Sequence, residues 1–225
     1  METRQYHEIE RYMLSCMNAS SHDKEHIYRV LYAALDIAQH ERDVDYDILL
    51  AACLLHDIGR AEQFDDPARN HAEVGGDKAY VFLTETGWDE ARAARVRDCI
   101  RAHRYRSSCP PRFIEDKILY DADKLDASGA IGIARTICYE GHVSQPLYTL
   151  REDGSVSDGS DTATPSFFQE YKFKLEKVYD RFYTAHAKRI AERRQQTAVA
   201  FYESMLAEVR DSYELGLGLL GKHLD

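Results

Sequence analysis

With 39 Asp and Glu against 29 Lys and Arg in 225 residues, the chain has a formal charge of -10. That balance repels a phosphate backbone and excludes a nonspecific binder of nucleic-acid polymers, while a local basic cluster with a divalent cation could still hold a small phosphorylated ligand. Five cysteines, Cys16, Cys53, Cys99, Cys109 and Cys138, are odd in number and never form a C-x-x-C pair, which argues against a disulfide framework or a thiolate zinc site.

The length fits one domain, residues 1–225, large enough to bury a substantial core. The opening METRQYHEIERYML lacks the apolar centre of a secretory signal, and the longest apolar run, Ile48 to Leu55, is far shorter than a membrane span. The expectation is a soluble cytoplasmic protein with reduced thiols and no membrane partner.

Taken in chain order, Ile27, Val30, Leu31, Ala34, Ile37 and Ala38 recur at helical spacing and predict an amphipathic helix over 25–38, with Ser20, Ser21 and Asp23 as capping candidates. Residues 46–58 read as a helix apolar nearly all round, hence central, closed by Gly59. Helices over 72–86, 90–105 and 113–126 follow, separated by a turn at Gly87 and a break at Pro110-Pro111.

From Gly141 to Pro165 the composition shifts to Gly, Ser, Thr and Asp, a long loop in which EDG at 152–154 is a turn between two short extended pieces. After Pro165 two long helical patterns complete the chain, PSFFQEYKFKLEKVYDRFYTAHAKRIAERR and QQTAVAFYESMLAEVRDSYEL. The Tyr and Phe residues there, among them Phe167, Phe168, Tyr171, Phe182 and Tyr183, follow helical spacing and read as core. The predicted class is all-α.

The stretch LLHDIGR sets His56 and Asp57 at the end of the most apolar run. An adjacent imidazole and carboxylate in such a setting need partners. They can pair with each other, satisfy the helix end that Gly59 marks, or hold a metal ion. His26 falls on the core side of the first amphipathic helix, and Asp123 follows Ile118 and Leu119 near the end of another. Joined to His56 and Asp57 they make a borderline-hard donor set suited to manganese, iron, zinc, magnesium or cobalt. His71, at a helix start, and His103, at a helix end, enlarge this set and could hold a second ion or grip a substrate oxygen.

The residues in this order, His26, His56 with Asp57, and Asp123, resemble the defining pattern of the HD-domain phosphohydrolases. The surrounding stretches carry the resemblance further: SHDKEHIYRVLYAALDIA, AACLLHDIGR, NHAEVGGDKA and LYDADKLDASGAIGIARTICYEG. The sequence is similar to small stand-alone bacterial members related to nucleotide pyrophosphohydrolases.

The resemblance implies a helical bundle around a divalent ion, with a metal-site core over 20–141, a loop or lid over 142–165, and helices over 166–225 completing the bundle. It implies His26, His56, Asp57 and Asp123 as metal ligands, manganese first, with Mg, Co, Fe, Ni or Zn open. His71 and His103 fall where two-metal members of the wider family place additional ligands, while His22 belongs to the local pattern of the similar subgroup and is open to helix-start chemistry with Asp23 or to holding the substrate or a second ion.

A bound divalent ion acidifies water and polarises a phosphoryl oxygen, which Asp57 could help by orienting that water or accepting its proton. Arg29, Arg104 and Lys124 are the cations placed to balance phosphate charge, and Asp126 is an orienting candidate three residues after Asp123.

The expected activity is hydrolysis of a small phosphorylated metabolite, a nucleoside triphosphate to monophosphate and pyrophosphate by attack of a metal-bound water. The alternatives are a nucleotide phosphomonoesterase and a non-catalytic metal-containing nucleotide sensor. A homodimer is compatible with all three.

Overall fold

The structure, a computed structural model, describes residues 1–17, 24–104, 109–161 and 164–224. The capping candidates Ser20, Ser21 and Asp23, together with His22, lie outside the described residues. Those described form ten α-helices: α1 (Thr3–Met17), α2 (Lys24–Ala38), α3 (Tyr46–Leu55), α4 (Arg60–Asp65), α5 (His71–Glu85), α6 (Glu90–Ala102), α7 (Ile114–Asp126), α8 (Gly129–His142), α9 (Phe167–Phe173) and α10 (Ala185–Leu220). A short 3-10 turn, Leu175–Lys177, follows α9. The all-α class is as the sequence predicts.

The chain divides into two compact units, Met1–Asp126 with Tyr183–Ala187, and Ala127–Phe182 with Lys188–Asp225. In the first, α3 is the central element. Its residues from Ala51 to Leu55 are all buried, as an all-round apolar helix requires, and it packs against α1, α2, α6 and α7. Asp45 caps it, its carboxylate accepting from the amides of Asp47 and Ile48. The faces of α2 and α7 turned toward it carry Ile27, Val30, Ala34, Ile118, Leu119 and Ala122, all inaccessible to solvent.

Helices α5 and α6 form a hairpin whose turn satisfies the end of α5. Gly87, at φ 91°, donates to the Thr84 carbonyl, and Trp88 donates to that of Leu83. This left-handed closing residue is one that glycine adopts without a Cβ penalty.

Of the differences from expectation, two have a physical reason visible in the packing. The apolar run suggests that α3 continues to Ile58, but the helix ends at Leu55 and His56 to Gly59 form tight turns, with Ile58 donating to Leu55 and Arg60 to Asp57. The cause is a close backbone approach: a Cβ on Gly59 would lie 2.3 Å from the His71 carbonyl oxygen and 2.6 Å from the Gly75 nitrogen. Lys78 locks the turn by donating to the Ile58 carbonyl at 2.9 Å and to Glu62 at 2.7 Å.

The second difference lies in the pattern beginning at Pro165. It breaks after Lys177 instead of running to Arg194, and α10 then runs unbroken from Ala185 through the junction between the two predicted helices. The buried Asp121 of α7 sets the new start, its carboxylate accepting from the amides of Tyr183 and Thr184 and from the Thr184 hydroxyl.

The second unit has its own core, built from Ile133, Val156, Phe167, Phe168, Tyr171, Leu175, Ala198 and Tyr202. Tyr171 and Tyr202 stack with centroids 4.0 Å apart. Within the 141–165 segment, Leu150 and Val156 pair as an antiparallel bridge around the EDG turn, the short hairpin expected there. Helix α8 precedes that segment and carries its N-terminal part to His142.

Candidate metal centre

Three pieces of the first unit carry the chemistry inward. Helix α2 presents His26, the turns after α3 present His56 and Asp57, and α7 presents Asp123 and Asp126. The same buried region receives His71 from the first position of α5 and His103 from the residue that ends α6.

His26 Nδ1 donates to Asp126 Oδ2 at 2.7 Å, which turns Nε2 toward Asp123 Oδ1 at 3.3 Å, Asp57 Oδ2 at 3.5 Å and His56 Nε2 at 3.3 Å. His56 is likewise fixed, its Nδ1 donating to the Cys53 carbonyl at 2.7 Å. In each case the second nitrogen is held by a protein acceptor and the first is left to face its neighbours, an arrangement typical of metal-ligating imidazoles.

The other two histidines repeat the device. His71 Nδ1 meets Gln63 Oε1 at 2.9 Å, and His103 Nδ1 donates to the Ile100 carbonyl. Their Nε2 atoms are buried, have no hydrogen-bond partner among the described residues, and lie 3.6 and 3.8 Å from Asp57 Oδ1. Asp57 therefore turns one oxygen to each histidine pair.

Two donor trios result, His26, His56 and Asp123, and Asp57, His71 and His103, each with its ligand atoms within 4.8 Å of one another. Atoms bound about 2.0–2.2 Å from one ion are separated by up to about 4.2 Å, so small adjustments close either trio on a cation. The orphaned Nε2 atoms of His71 and His103 facing a carboxylate are the observation that shows the fit.

Electrostatics support the same reading. His56 is pushed down to about 4, by burial first and with a contribution from neighbouring His103. Burial, then the Arg60 charge, brings His71 down to about 3. Both present neutral nitrogens at physiological pH, as ligation requires. His26 goes the other way: burial opposes its charged form, but Asp123, Asp126 and Asp57 outweigh that and raise it well above its ordinary value. Burial also opposes ionisation of Asp57, yet the Arg60 guanidinium, with His56 and His26, holds that carboxyl well below the usual range.

Of the cations marked in the sequence, Arg29 donates to Asp126 Oδ1 at 2.7 Å and Oδ2 at 3.1 Å. The charge of Arg104 acts on His71. Lys124 is nearly buried, its ammonium 5.5 Å from the centre of the Tyr120 ring, and its charge acts on Asp121. Arg60, which the sequence reading leaves without a role, donates to Asp57 Oδ1 at 2.8 Å. Its signal was an Arg three residues after the Asp of a turn. Gln63, the partner of His71, had none.

An all-helical core that gathers these histidines and carboxylates in one buried region is that of the HD-domain proteins, and the chain belongs to this family. Its residues 24–128 match the HD domain.

Among its relatives is YpgQ of Bacillus subtilis strain 168, 28% identical over 214 residues that cover 92% of this chain and 95% of the relative. The crystal structure of YpgQ superposes with a TM-score of 0.71 at 26% identity, covering 92% of this chain and 96% of that one. YpgQ has also been solved in complex with ADP, with a TM-score of 0.68, 26% identity, and coverage of 91% and 97%. A predicted HD superfamily hydrolase from an uncultured Thermotogales bacterium is 30% identical over 92% of both chains, with a TM-score of 0.60. An HD-superfamily hydrolase from Bacillus thuringiensis is 26% identical over 92% of this chain and 98% of that one, with a TM-score of 0.69. The chain is thus an HD-superfamily protein of the hydrolase type, with a His and Asp cluster able to hold a divalent metal.

Proposed function

We propose that this protein is a metal-dependent phosphohydrolase of nucleotides, cleaving a nucleoside triphosphate to the monophosphate and pyrophosphate, with phosphomonoester hydrolysis as the next reading. The observation that carries the metal dependence is Asp57, which faces His26 and His56 with one oxygen and His71 and His103 with the other. His26, His56, Asp57 and Asp123 would hold one ion, and Asp57, His71 and His103 would offer donors to a second. Nucleotide chemistry is supported by the resemblance of the motifs and by the ADP complex of YpgQ.

A divalent ion at such a site, manganese first, supplies Lewis acidity toward a phosphoryl oxygen and a water acidic enough to ionise near neutral pH. The protein's own groups do the rest. A carboxylate held as low as that of Asp57 is a weak base, so its part is to orient the attacking water by accepting its hydrogen bond. Arg29 and Arg60 stand as cations with their guanidinium groups already fixed, and Arg104 and Lys124 complete the candidates for substrate charge. The partly open side chains of Asp123, 26% exposed, Arg29, 35%, and Arg60, 30%, provide polar surface for a phosphate to approach.

Product identification on nucleoside tri-, di- and monophosphates with manganese, magnesium, cobalt and zinc in turn tests this reading. Monophosphate and pyrophosphate from a triphosphate are expected. Orthophosphate from monophosphates alone would select the phosphomonoesterase. Tight nucleotide binding with no product from any substrate would overturn hydrolysis and leave a sensor.

A further inference from the structure

The two donor trios are alike in ligand type but unequal in charge. His26, His56 and Asp123 are joined by Asp57 Oδ2, so two carboxylates face that side, and Arg29 there pairs with Asp126. The trio of Asp57, His71 and His103 contains a single carboxylate, and the oxygen it offers, Oδ1, already accepts from Arg60 Nε at 2.8 Å.

The guanidinium is held in that place. Arg60 opens α4 three residues after Asp57, and its Nη1 reaches Gln63 Oε1 at 3.5 Å, the oxygen that His71 Nδ1 meets at 2.9 Å. Gln63 is itself fixed by donating to the Arg69 carbonyl at 3.1 Å. A positive charge therefore bonds to the same oxygen, and borders the same imidazole, that a second cation would use. Two cations sharing one carboxylate oxygen repel, and partial burial leaves that repulsion only partly screened.

We infer that Arg60 is a positioning residue that ranks the two trios: its guanidinium takes the place of a second ion beside Asp57 Oδ1. One divalent ion then binds tightly, with His26, His56, Asp57 and Asp123, and a second, with His71 and His103, about tenfold or more weakly. This ranking rests on the metal-dependent reading above and adds to it the number of ions the protein holds before substrate arrives. Removing the Arg60 charge should raise affinity for the second ion, whereas losing a purely structural ion pair would lower it or leave it unchanged.

The test is calorimetric titration of the full chain, stripped with chelator, with Mn2+, and free Mn2+ counted by electron paramagnetic resonance. Wild type should show one tight site and a second about tenfold or more weaker. Arg60→Gln and Arg60→Met, each with an unchanged circular dichroism spectrum, should tighten the second site by about tenfold or more, while Arg60→Lys, which keeps the charge, should hold the wild-type ranking. Adding His71→Gln to Arg60→Gln should abolish the gain. Two equally tight sites in wild type, no gain in either uncharged variant, or a gain that survives His71→Gln would overturn the role of Arg60 while the metal-dependent reading stands. Wild type that binds no ion at all would overturn that reading and the ranking with it.

Discussion

At the scale of single residues, the side chains of the His and Asp cluster are held in place by neighbours outside it. Asp126 receives both His26 and Arg29, which fixes the imidazole and turns its Nε2 toward Asp57, Asp123 and His56. Asp126→Asn should lower divalent metal affinity by about 10–100-fold with the fold retained, the usual effect of losing such a partner. Calorimetric titration checks it, and wild-type affinity in the variant would deny Asp126 this positioning role. His26 also sets the pH dependence. Its pKa is raised by its carboxylates, so below that value an incoming ion must displace a proton, and affinity should rise with pH until the folded pKa is passed and then level off. His56, near 4, adds no such slope above about pH 5. Titrations in buffers of different ionisation enthalpy would report close to one proton released near neutrality, and none released would contradict the assignment. His26, His56, Asp57 and Asp123 were legible in the sequence because their spacing and neighbours mark them. Arg60 and Gln63 were not, because their roles arise only when the turn after α3 brings them against Asp57 and His71.

At the scale of elements, the turn from His56 to Gly59 is what takes the His-Asp pair off the helix and into the pocket. Gly59→Ala would force a Cβ into the backbone of α5, so destabilisation of about 1–3 kcal/mol or more is expected, together with weakened metal binding as His56 and Asp57 shift. Gly141→Ala is the matching control, since nothing lies within 4 Å of its added carbon. Thermal unfolding separates them, and equal melting temperatures would refute the close-approach argument. Hydrophobic periodicity revealed α2, α5, α6 and α7 to within a few residues. It failed at the end of α3 because Ile58 continues the apolar run while the geometry of Gly59 and Gly75, distant in sequence, ends the helix. It failed again near Thr184, where no Gly or Pro marks the break and the cause is a carboxylate on α7.

At the scale of the whole molecule, the candidate chemistry lies within the unit formed by Met1–Asp126 and Tyr183–Ala187, while residues of the second unit build a separate aromatic core. No helix among the described residues is long and apolar enough to cross a membrane. The formal charge of -10 makes local compensation essential, because an anionic substrate meets a repulsive average field and is retained only where cations concentrate. In the proposed function, a divalent ion at the HD centre would supply that concentration together with Arg29 and Arg60. The direct test is nucleoside triphosphate turnover by chelator-stripped protein before and after manganese is restored, for wild type and Asp57→Ala. No turnover is expected without metal, with recovery on adding it to wild type and a loss of about 100-fold or more in the variant. Turnover that persists in chelator, or is unchanged in Asp57→Ala, would contradict the proposed function.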